Sequence, residues 1–343
     1  MIGIRGKVDI RKKVYKIIDM IGFYLGPDLI SLSFLVLVLV VLSIIYGNHS
    51  FTFMNRSLIV PLVVFGGLLI FGVSTRIHRL LYGGRGEIKE IVDFALKMTR
   101  DWLPLLIILL IYENLHDMTD LIHPDTLDGE LRRIDMAIFG VDPTLYLERF
   151  ITPVLNDYMT ISYAPFFLYP AIILGVIYKK GDIIKFRELA LAFEICVIIG
   201  FLGYIIVPAV GPRYFMANEY TVSLNGYITE IGFKAWNSIE SVKRDCFPSL
   251  HTAMSTISLV YFYRFRNFYR GGKIVFLVSI PLIVSLWIST VYLRYHWVVD
   301  VFAGWALALI CVTIAPRFIK WYYYRKNGII PEVSTDLAKN GRF

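Results

Sequence analysis

The feature that most constrains this chain is a series of long apolar segments separated by polar ones. A helix needs about 20 mostly apolar residues to cross the hydrocarbon core of a bilayer. Eight apolar segments stand out, at residues 29–46, 57–73, 102–115, 160–178, 189–207, 249–263, 274–291 and 297–319. Because backbone polar groups must be satisfied inside a membrane, such segments form helices. The sequence therefore predicts an all-α integral membrane protein with about eight transmembrane helices.

Composition and the polar segments divide the chain into four parts. Residues 1–28 are basic and predict a cytoplasmic amphipathic segment on the membrane surface. Residues 29–99 are expected to form two N-terminal transmembrane helices, and residues 100–321 a core of six helices. Residues 322–343 are polar and are expected to form a loose cytoplasmic tail.

The polar connections differ in character. Short interfacial helices are expected near residues 87–98 and, as a pair along the membrane face, within the acidic stretch 116–158. Residues 208–247 are interpreted as a long polar loop. The three cysteines are too few for a disulfide framework, and no bridge is predicted.

The distribution of positive charge predicts the topology. With the N-terminus inside, the cytoplasmic segments carry 26 of the 35 lysine and arginine residues, and the bias alternates correctly across all eight spans. The sequence therefore predicts a multi-pass protein of the cell membrane with both termini cytoplasmic. The net charge of +8 is explained by these loops, so no nucleic-acid partner is expected.

Two histidines are expected to meet at the extracytoplasmic face. His251 begins one apolar segment and His296 precedes another, and the chain between them turns back at residues 264–273. Asp300 follows His296 by four residues, so a helix places both on one face. A carboxylate there can hold one imidazole nitrogen and leave the other available for attack. His296 is the candidate nucleophile, Asp300 its partner and His251 the proton donor to a leaving oxygen.

Three further residues are candidates for holding phosphate oxygens. Arg213 and Arg294 carry guanidinium groups on the same predicted side. Ser249 lies at the start of the helix that contains His251, where free backbone N–H groups favour an anion. No metal ion and no cofactor is expected.

Buried carboxylates also admit structural explanations. Asp300 lies inside an apolar helix, where a carboxylate without a partner is costly, so we expect His296 to be that partner. For Glu194, in the middle of another span, we favour a structural hydrogen bond to a neighbouring helix.

These motifs carry a family resemblance. Pro248-Ser249-Leu250-His251 and the pattern His296, Asp300, Gly304 resemble the second and third signature motifs of the type 2 phosphatidic acid phosphatase superfamily. The stretch from Gly211 to Tyr214 is similar to its first motif. The acidic stretch 128–143, with Asp135 and Phe139-Gly140, resembles the branch that contains inositol phosphorylceramide synthases. The resemblance covers residues 100–318 and implies a six-helix phosphatase-like core preceded by two additional spans.

The resemblance implies a metal-independent double displacement at the outer membrane face. His296 would become phosphohistidine, Asp300 would orient it, and His251 would protonate the departing alcohol. The substrate would be a phospholipid or polyprenyl phosphate. Water or an alcohol acceptor would resolve the intermediate, so hydrolysis and transfer are both open.

The sequence departs from the family pattern at two positions. No lysine precedes the first motif at the usual spacing, and the usual Ser-Arg before the histidine of the third motif is Ser289-Thr290. Lys243 or Arg244 is a candidate replacement for the missing cation. The rival hypotheses are a membrane transporter, and a lipid-binding pseudoenzyme without phosphoryl transfer. The oligomeric state is left open.

Overall fold

The computed structural model describes residues 26–29, 33–45, 56–83, 87–123, 125–239 and 244–339. In this part of the chain all regular secondary structure is helical, which confirms the all-α prediction. The predicted amphipathic segment 1–28 lies almost wholly outside the described residues.

The helices are numbered in chain order. The long ones are α1 (Gly26–Ile45, described at 26–29 and 33–45), α2 (Arg56–Gly83), α3 (Ile88–Ile122), α8 (Ile183–Ile206), α11 (Leu250–Arg264), α12 (Gly272–Tyr292) and α13 (Val298–Asn327). The shorter ones are α4 (Asp128–Phe139), α5 (Pro143–Tyr146), α6 (Pro153–Tyr163), α7 (Leu168–Lys179), α9 (Pro212–Phe215), α10 (Tyr227–Ile239) and α14 (Ser334–Lys339). Helix α6 leads to α7 through a 3-10 turn at Ala164–Phe167.

Five of the described helical segments are long and apolar enough to cross a membrane. They are Gly26–Ile45, Pro153–Lys179, Ile183–Ile206, Gly272–Tyr292 and Val298–Asn327. Several of them expose large apolar side chains, as α12 does with Ile274 and Leu277, which is typical of a surface in contact with lipid. The chain is therefore a multi-pass membrane protein. The predicted count of eight spans is not confirmed; α11, for example, has only 15 residues.

Several helices extend beyond the predicted spans. The charged connection after the second span is mostly helical, because α2 continues to Gly83 and α3 begins at Ile88. The predicted interfacial helix 87–98 is therefore the first part of the 35-residue α3. Helix α13 runs to Asn327, eight residues beyond the predicted end of the last span.

The predicted loop 208–247 contains two helices. The longer, α10, packs against α6, and the Asp157 carboxylate of α6 accepts the backbone N–H groups of Ile228 and Thr229 at 2.9 Å each. These bonds satisfy N–H groups in the first turn of α10, which have no partner within the helix. Asn156 adds a bond to the carbonyl of Asn225 at 2.8 Å. Residues 220–239 of this segment, called the cover below, are therefore fixed to α6.

The acidic stretch forms short helices as predicted. Helix α4 begins with Asp128 and ends at Gly140, whose φ of 71° is the left-handed conformation common after helices. Helix α5 begins after Asp142, whose side chain accepts the N–H groups of Thr144 and Leu145.

The core of the bundle is formed chiefly by α8, α11 and α13, which contact one another pairwise. Phe193 and Phe201 of α8, Ile257 and Tyr261 of α11 and Cys311 of α13 are all almost completely buried there. This packing fixes the first residues of α11 relative to those of α13.

As far as residue 339, the C-terminal tail is not loose. Ser334, at the start of α14, is fully buried, and its N–H donates to Glu188 of α8 at 2.9 Å. The Ser334 hydroxyl also donates to Glu188, as does Tyr261 of α11 at 2.9 Å. Burial of these polar groups with full hydrogen bonding ties the tail to the end of the bundle opposite His251 and His296.

Candidate active site

The two predicted catalytic histidines face each other. His251 lies in the first turn of α11, and His296 lies two residues before α13. Nδ1 of His251 is 3.2 Å from Nε2 of His296, and His296 is only 3% exposed. The packing of α11 against α13 thus brings together two residues that are 45 positions apart.

Asp300 lies behind His296, as the four-residue spacing predicts. Its Oδ2 is 3.5 Å from Nδ1 of His296 and accepts the backbone N–H of Trp297 at 2.8 Å. The thiol of Cys246 donates to the same oxygen at 2.8 Å. Burial, followed by the charge of Asp300, raises the pKa of the Cys246 thiol well above its ordinary value. Cys246 therefore lies beside Asp300 as a protonated thiol.

Close packing of the motif residues explains Gly304. Its backbone approaches α11 so closely that an added Cβ would lie 2.6 Å from the carbonyl oxygen of Ser249. Ser249 caps α11 by accepting the N–H of Thr252 at 3.3 Å, and its own N–H donates to the carbonyl of Asp300 at 3.1 Å. The glycine of the third motif and the serine of the second therefore hold the two helix starts together.

Aromatic side chains of α6 and the turn after it cover His251. The Tyr163 hydroxyl is 2.7 Å from Nε2 of His251, and the two rings stack with centroids 4.6 Å apart. Phe166 lies 4.0 Å from His251 by ring centroids, and Tyr163 also stacks on Tyr295. Sequence reasoning missed Tyr163, because nothing in its own segment distinguishes it from other aromatic residues of a span.

Arg213 is placed beside this aromatic cluster. Its Nη1 donates to the hydroxyl of Tyr295 at 2.8 Å, and its guanidinium carbon lies 4.4 Å from the centroid of the Phe233 ring. The backbone N–H of Arg213 donates to the carbonyl of Arg294 at 2.7 Å. The first motif is thus joined to the third motif through both backbone and side chain.

Arg294 has other partners. Its Nη2 donates to Glu148 at 3.0 Å and to the carbonyl of Val222 at 2.7 Å, while its guanidinium carbon lies 3.7 Å from the ring centroid of Tyr220. Burial tends to raise the pKa of Glu148, but hydrogen bonds from Val222 and Thr221 together with the Arg294 charge lower it below its ordinary value. These contacts tie Arg294 to the cover of the site rather than to the histidine pair.

Two carboxylates of α4 accept hydrogen bonds from the segments that carry the site residues. Asp128 is fully buried and accepts three N–H groups at 2.9 Å each, from Val210, from Gly211 at the start of the first motif and from the indole of Trp297. Asp135, two turns later, accepts the backbone N–H groups of Val298 and Val299 at 2.7 and 2.8 Å. Burial raises the pKa of Asp135 to about 6, although these two bonds act against it. The acidic stretch therefore positions the first motif and the start of α13.

A close approach also explains Gly211. Its φ of 81° is left-handed, and an added Cβ would lie 2.4 Å from the carbonyl oxygen of Tyr295.

Of the two candidate replacements for the missing cation, only one lies among the described residues. Arg244 donates to the carbonyl of His123, and Lys243 lies outside the described residues.

The site also contains a group of potential metal ligands. Ligand atoms of Cys246, His296 and Asp300 lie within 4.8 Å of one another, and all three residues are buried.

The sequence pattern of a known family covers these motifs. A family model described as the PAP2 superfamily matches residues 130–314, which is more than half of the chain. The chain belongs to the PAP2 superfamily. This match includes the histidine pair, Asp300, Asp135 and the first motif, and it excludes the two N-terminal helices.

One curated relative points to a branch of the superfamily. The chain is 29% identical over 150 residues to a phosphoinositol dihydroceramide synthase of Bacteroides thetaiotaomicron, covering 39% of this chain and 47% of the relative. The chain thus spans about half the length of the curated relative it matches. No solved structure matches it. The resemblance to the synthase-containing branch is confirmed, and the family supports lipid phosphatase or phosphotransferase activity in general terms.

Proposed function

We propose that this PAP2 superfamily member is a lipid phosphotransferase, which moves a phosphorylated alcohol headgroup from a membrane phospholipid to a lipid alcohol through a phosphohistidine at His296. The observation that carries the proposal is the 3.2 Å approach of the two imidazoles, with Asp300 behind one and Tyr163 behind the other. A nucleophile, its orienting carboxylate and an acid–base group within hydrogen-bonding reach are the components of covalent catalysis.

In the proposed resting site both imidazoles are neutral. The proton of His296 is placed on Nδ1, which faces the Asp300 carboxylate at 3.5 Å, and this leaves the lone pair on Nε2 available. Nδ1–H of His251 then donates to that nitrogen, and Nε2 of His251 accepts from Tyr163. Each ring nitrogen has a partner in this assignment, and the nitrogen that must attack is unprotonated.

In the first half-reaction, Nε2 of His296 attacks phosphorus and forms an N–P bond. The P–O bond to the diacylglycerol breaks. When the phosphate anion binds, His251 takes up one proton from solvent on Nε2, and this Nε2–H is held by the Tyr163 oxygen. His251 then donates Nδ1–H to the departing oxygen. Asp300 stabilises the positive charge that develops on the imidazole of His296.

In the second half-reaction, the hydroxyl of the acceptor attacks the same phosphorus. Its proton passes to Nδ1 of His251, the N–P bond breaks, and Nε2 of His296 regains its lone pair. The headgroup phosphate has then moved from one lipid oxygen to another, and both histidines have the protonation states in which the first half-reaction began. His251 releases its extra proton to solvent as the product leaves.

The phosphate oxygens are held by Arg213 and by the N-terminus of α11, where Ser249 fixes the first turn. Arg213 lies next to Tyr295, which directly precedes the nucleophile. Arg294, the second predicted arginine, acts instead as a bridge from the third motif to Glu148 in this proposal.

Burial of the site supports transfer rather than hydrolysis. His296 and Tyr163 are 3% and 5% exposed, and α10 covers the cluster through Phe233, which contacts Tyr295 edge to face. Exclusion of water protects a reactive intermediate from hydrolysis. By analogy with the relative, the headgroup is phosphoinositol and the acceptor is a ceramide-like alcohol. The site faces the extracytoplasmic side, as the charge bias of the loops predicts.

The experiment is a headgroup-transfer assay in detergent with EDTA present. Purified protein receives phosphatidylinositol labelled in the headgroup, with and without a ceramide acceptor, and labelled phosphatidic acid as a test of hydrolysis. We expect a labelled sphingolipid from the wild type, and none from His296→Ala. His251→Ala is expected to form product slowly and to retain label on the protein in an acid-labile form.

Other outcomes distinguish the alternatives. Phosphate release from phosphatidic acid without transfer would assign a phosphatase. Equal product from the wild type and His296→Ala would contradict the mechanism. No product from any lipid by folded protein would favour the transporter or pseudoenzyme hypothesis.

A further inference from the structure

The buried group Cys246, His296 and Asp300 has the donor set of a transition-metal site. The Cys246 sulfur lies 3.5 Å from Nδ1 of His296 and 2.8 Å from Oδ2 of Asp300, and that oxygen lies 3.5 Å from the same Nδ1. Ligands of a tetrahedral zinc ion, with bonds of about 2.0–2.3 Å, are separated by about 3.3–3.6 Å. Two of the three separations already fit, and the third needs to widen by less than an ångström.

A proton now occupies the place that a metal ion would take. The thiol hydrogen of Cys246 lies between its sulfur and the Asp300 carboxylate. A thiolate and a carboxylate at this distance would repel each other strongly unless a cation lay between them. The other Asp300 oxygen, Oδ1, is buried without a hydrogen-bond partner among the described residues. The group is therefore incompletely satisfied in a way that a divalent ion can relieve.

We infer that Cys246, His296 and Asp300 form a binding site for a thiophilic divalent metal ion, represented by Zn²⁺, and that the bound ion inhibits the enzyme. Thiolate and imidazole ligands select zinc, cobalt and cadmium over magnesium and calcium, which prefer oxygen ligands. The site is a regulatory or inhibitory one, since the proposed reaction uses no metal.

Inhibition follows from the tautomer of His296. Coordination through Nδ1 requires the lone pair of that nitrogen, so its proton moves to Nε2. Nε2 is the atom that attacks phosphorus in the proposed reaction, and once protonated it has no lone pair to offer. Asp300 turns from His296 to the metal at the same time. The Cys246 thiol proton is released to solvent, so one proton leaves for each ion bound.

Metal binding is tested without any assay of activity. The protein used is the full chain with Cys196→Ala and Cys311→Ala, which leaves Cys246 as the remaining thiol of the three. Both replaced cysteines are buried in α8 and α13, away from the site. Co²⁺ is added to purified protein in detergent, and the near-ultraviolet thiolate-to-cobalt charge-transfer band is recorded. The same titration is run on wild type and on Cys246→Ser, which covers the case in which the double variant does not fold.

We expect one Co²⁺ per chain, displacement by Zn²⁺ but not by Mg²⁺, and complete loss of the charge-transfer band in Cys246→Ser. Absence of the band, or its persistence in Cys246→Ser, would overturn the site.

The inference that the bound ion inhibits the enzyme rests on the proposed function, and inhibition is measured in a separate experiment. Headgroup transfer is titrated with Zn²⁺, and each protein is compared with its own rate in EDTA. The half-inhibiting concentration is expected to rise at least about tenfold in Cys246→Ser. A cobalt band with unaltered transfer would overturn inhibition but leave the site. A cobalt band in a protein that transfers nothing would contradict the proposed function and leave the site standing.

Discussion

The two ends of the bundle each bury a carboxylate beside α11, but in different surroundings. At the end formed by the tail, both oxygens of Glu188 accept hydrogen bonds, from Tyr261 and from the hydroxyl and N–H of Ser334. At the histidine end, one oxygen of Asp300 has three neighbours, His296, Cys246 and Trp297, and the other has none among the described residues.

The comparison separates a structural network from a reactive one. Fully satisfied buried groups rigidify the fold, whereas an unsatisfied buried group is costly and is tolerated where function requires it. Glu188 therefore has the environment of a structural anchor for α14. Asp300 has an oxygen without a hydrogen-bond partner among the described residues, which suits the change of partners that the proposed mechanism asks of it as His296 changes charge.

Asp300→Asn is the strongest test of this difference, with the largest expected effect on turnover. The amide keeps the shape and can still accept the N–H of Trp297, but it no longer favours Nδ1–H on His296. We expect kcat to fall by about 10⁴-fold, with little change in thermal stability in detergent. A loss of less than tenfold would show that Asp300 is as structural as Glu188.

Two arginine variants test two different roles. Arg213→Ala tests phosphate binding, and Arg294→Ala tests attachment of the cover. Loss of Arg213 removes a charged donor to the substrate and is expected to lower kcat/KM by about 10–100-fold. Loss of Arg294 leaves Glu148 without its cation and should mainly lower the unfolding temperature. Steady-state kinetics and thermal unfolding of both variants make the test, and the reverse pattern would assign the phosphate to Arg294.

Gly304→Ala tests the contact between the starts of α11 and α13. The added methyl would lie 2.6 Å from the Ser249 carbonyl oxygen, so we expect a loss of about 1–3 kcal/mol in stability together with reduced turnover. Gly175→Ala in α7 is the matched control, since a Cβ there meets nothing within 4 Å. The measurement is thermal unfolding of both variants in the same detergent. Equal stability of Gly304→Ala and Gly175→Ala would refute the close contact.

Tyr163→Phe keeps the ring stacked on His251 and removes only the hydroxyl. Because one neutral hydrogen bond is lost, we expect kcat to fall about three- to tenfold. The pH–rate profile should also shift, since the Tyr163 oxygen holds Nε2–H of protonated His251. An unchanged profile would mean that Tyr163 only packs against the histidine.

Glu188→Gln should have the smallest effect on turnover. It weakens the bonds to Tyr261 and Ser334 and is expected to cost about 1 kcal/mol of stability. Turnover of the folded protein should equal that of wild type, and proteolysis of the tail should be faster. A large drop in kcat at unchanged stability would show that the two ends are coupled.

Much of the site was predictable from local sequence. The four-residue spacing of His296 and Asp300 correctly placed the carboxylate beside the imidazole, although His296 lies two residues before α13. Asp300 and Gly304, which are also four residues apart, both lie in α13. Ser249 before an apolar segment predicts a helix cap, which it forms. Hydropathy identified the membrane class but did not give the full helix lengths, because helices such as α3 and α13 continue beyond the apolar segment into charged residues.

Tertiary structure alone decided which polar groups meet. By itself, the sequence determined an all-helical membrane protein with two histidines, a carboxylate and the two arginines as candidates, since helix period and hydropathy are local properties. Packing of α4, α6 and the tail against the core decided that Asp128 holds the first motif, that Tyr163 faces His251 and that Ser334 is buried. The same packing decided that Arg294 pairs with Glu148. These pairings join residues up to 146 positions apart, and their energies depend on burial and distance, which no local pattern encodes.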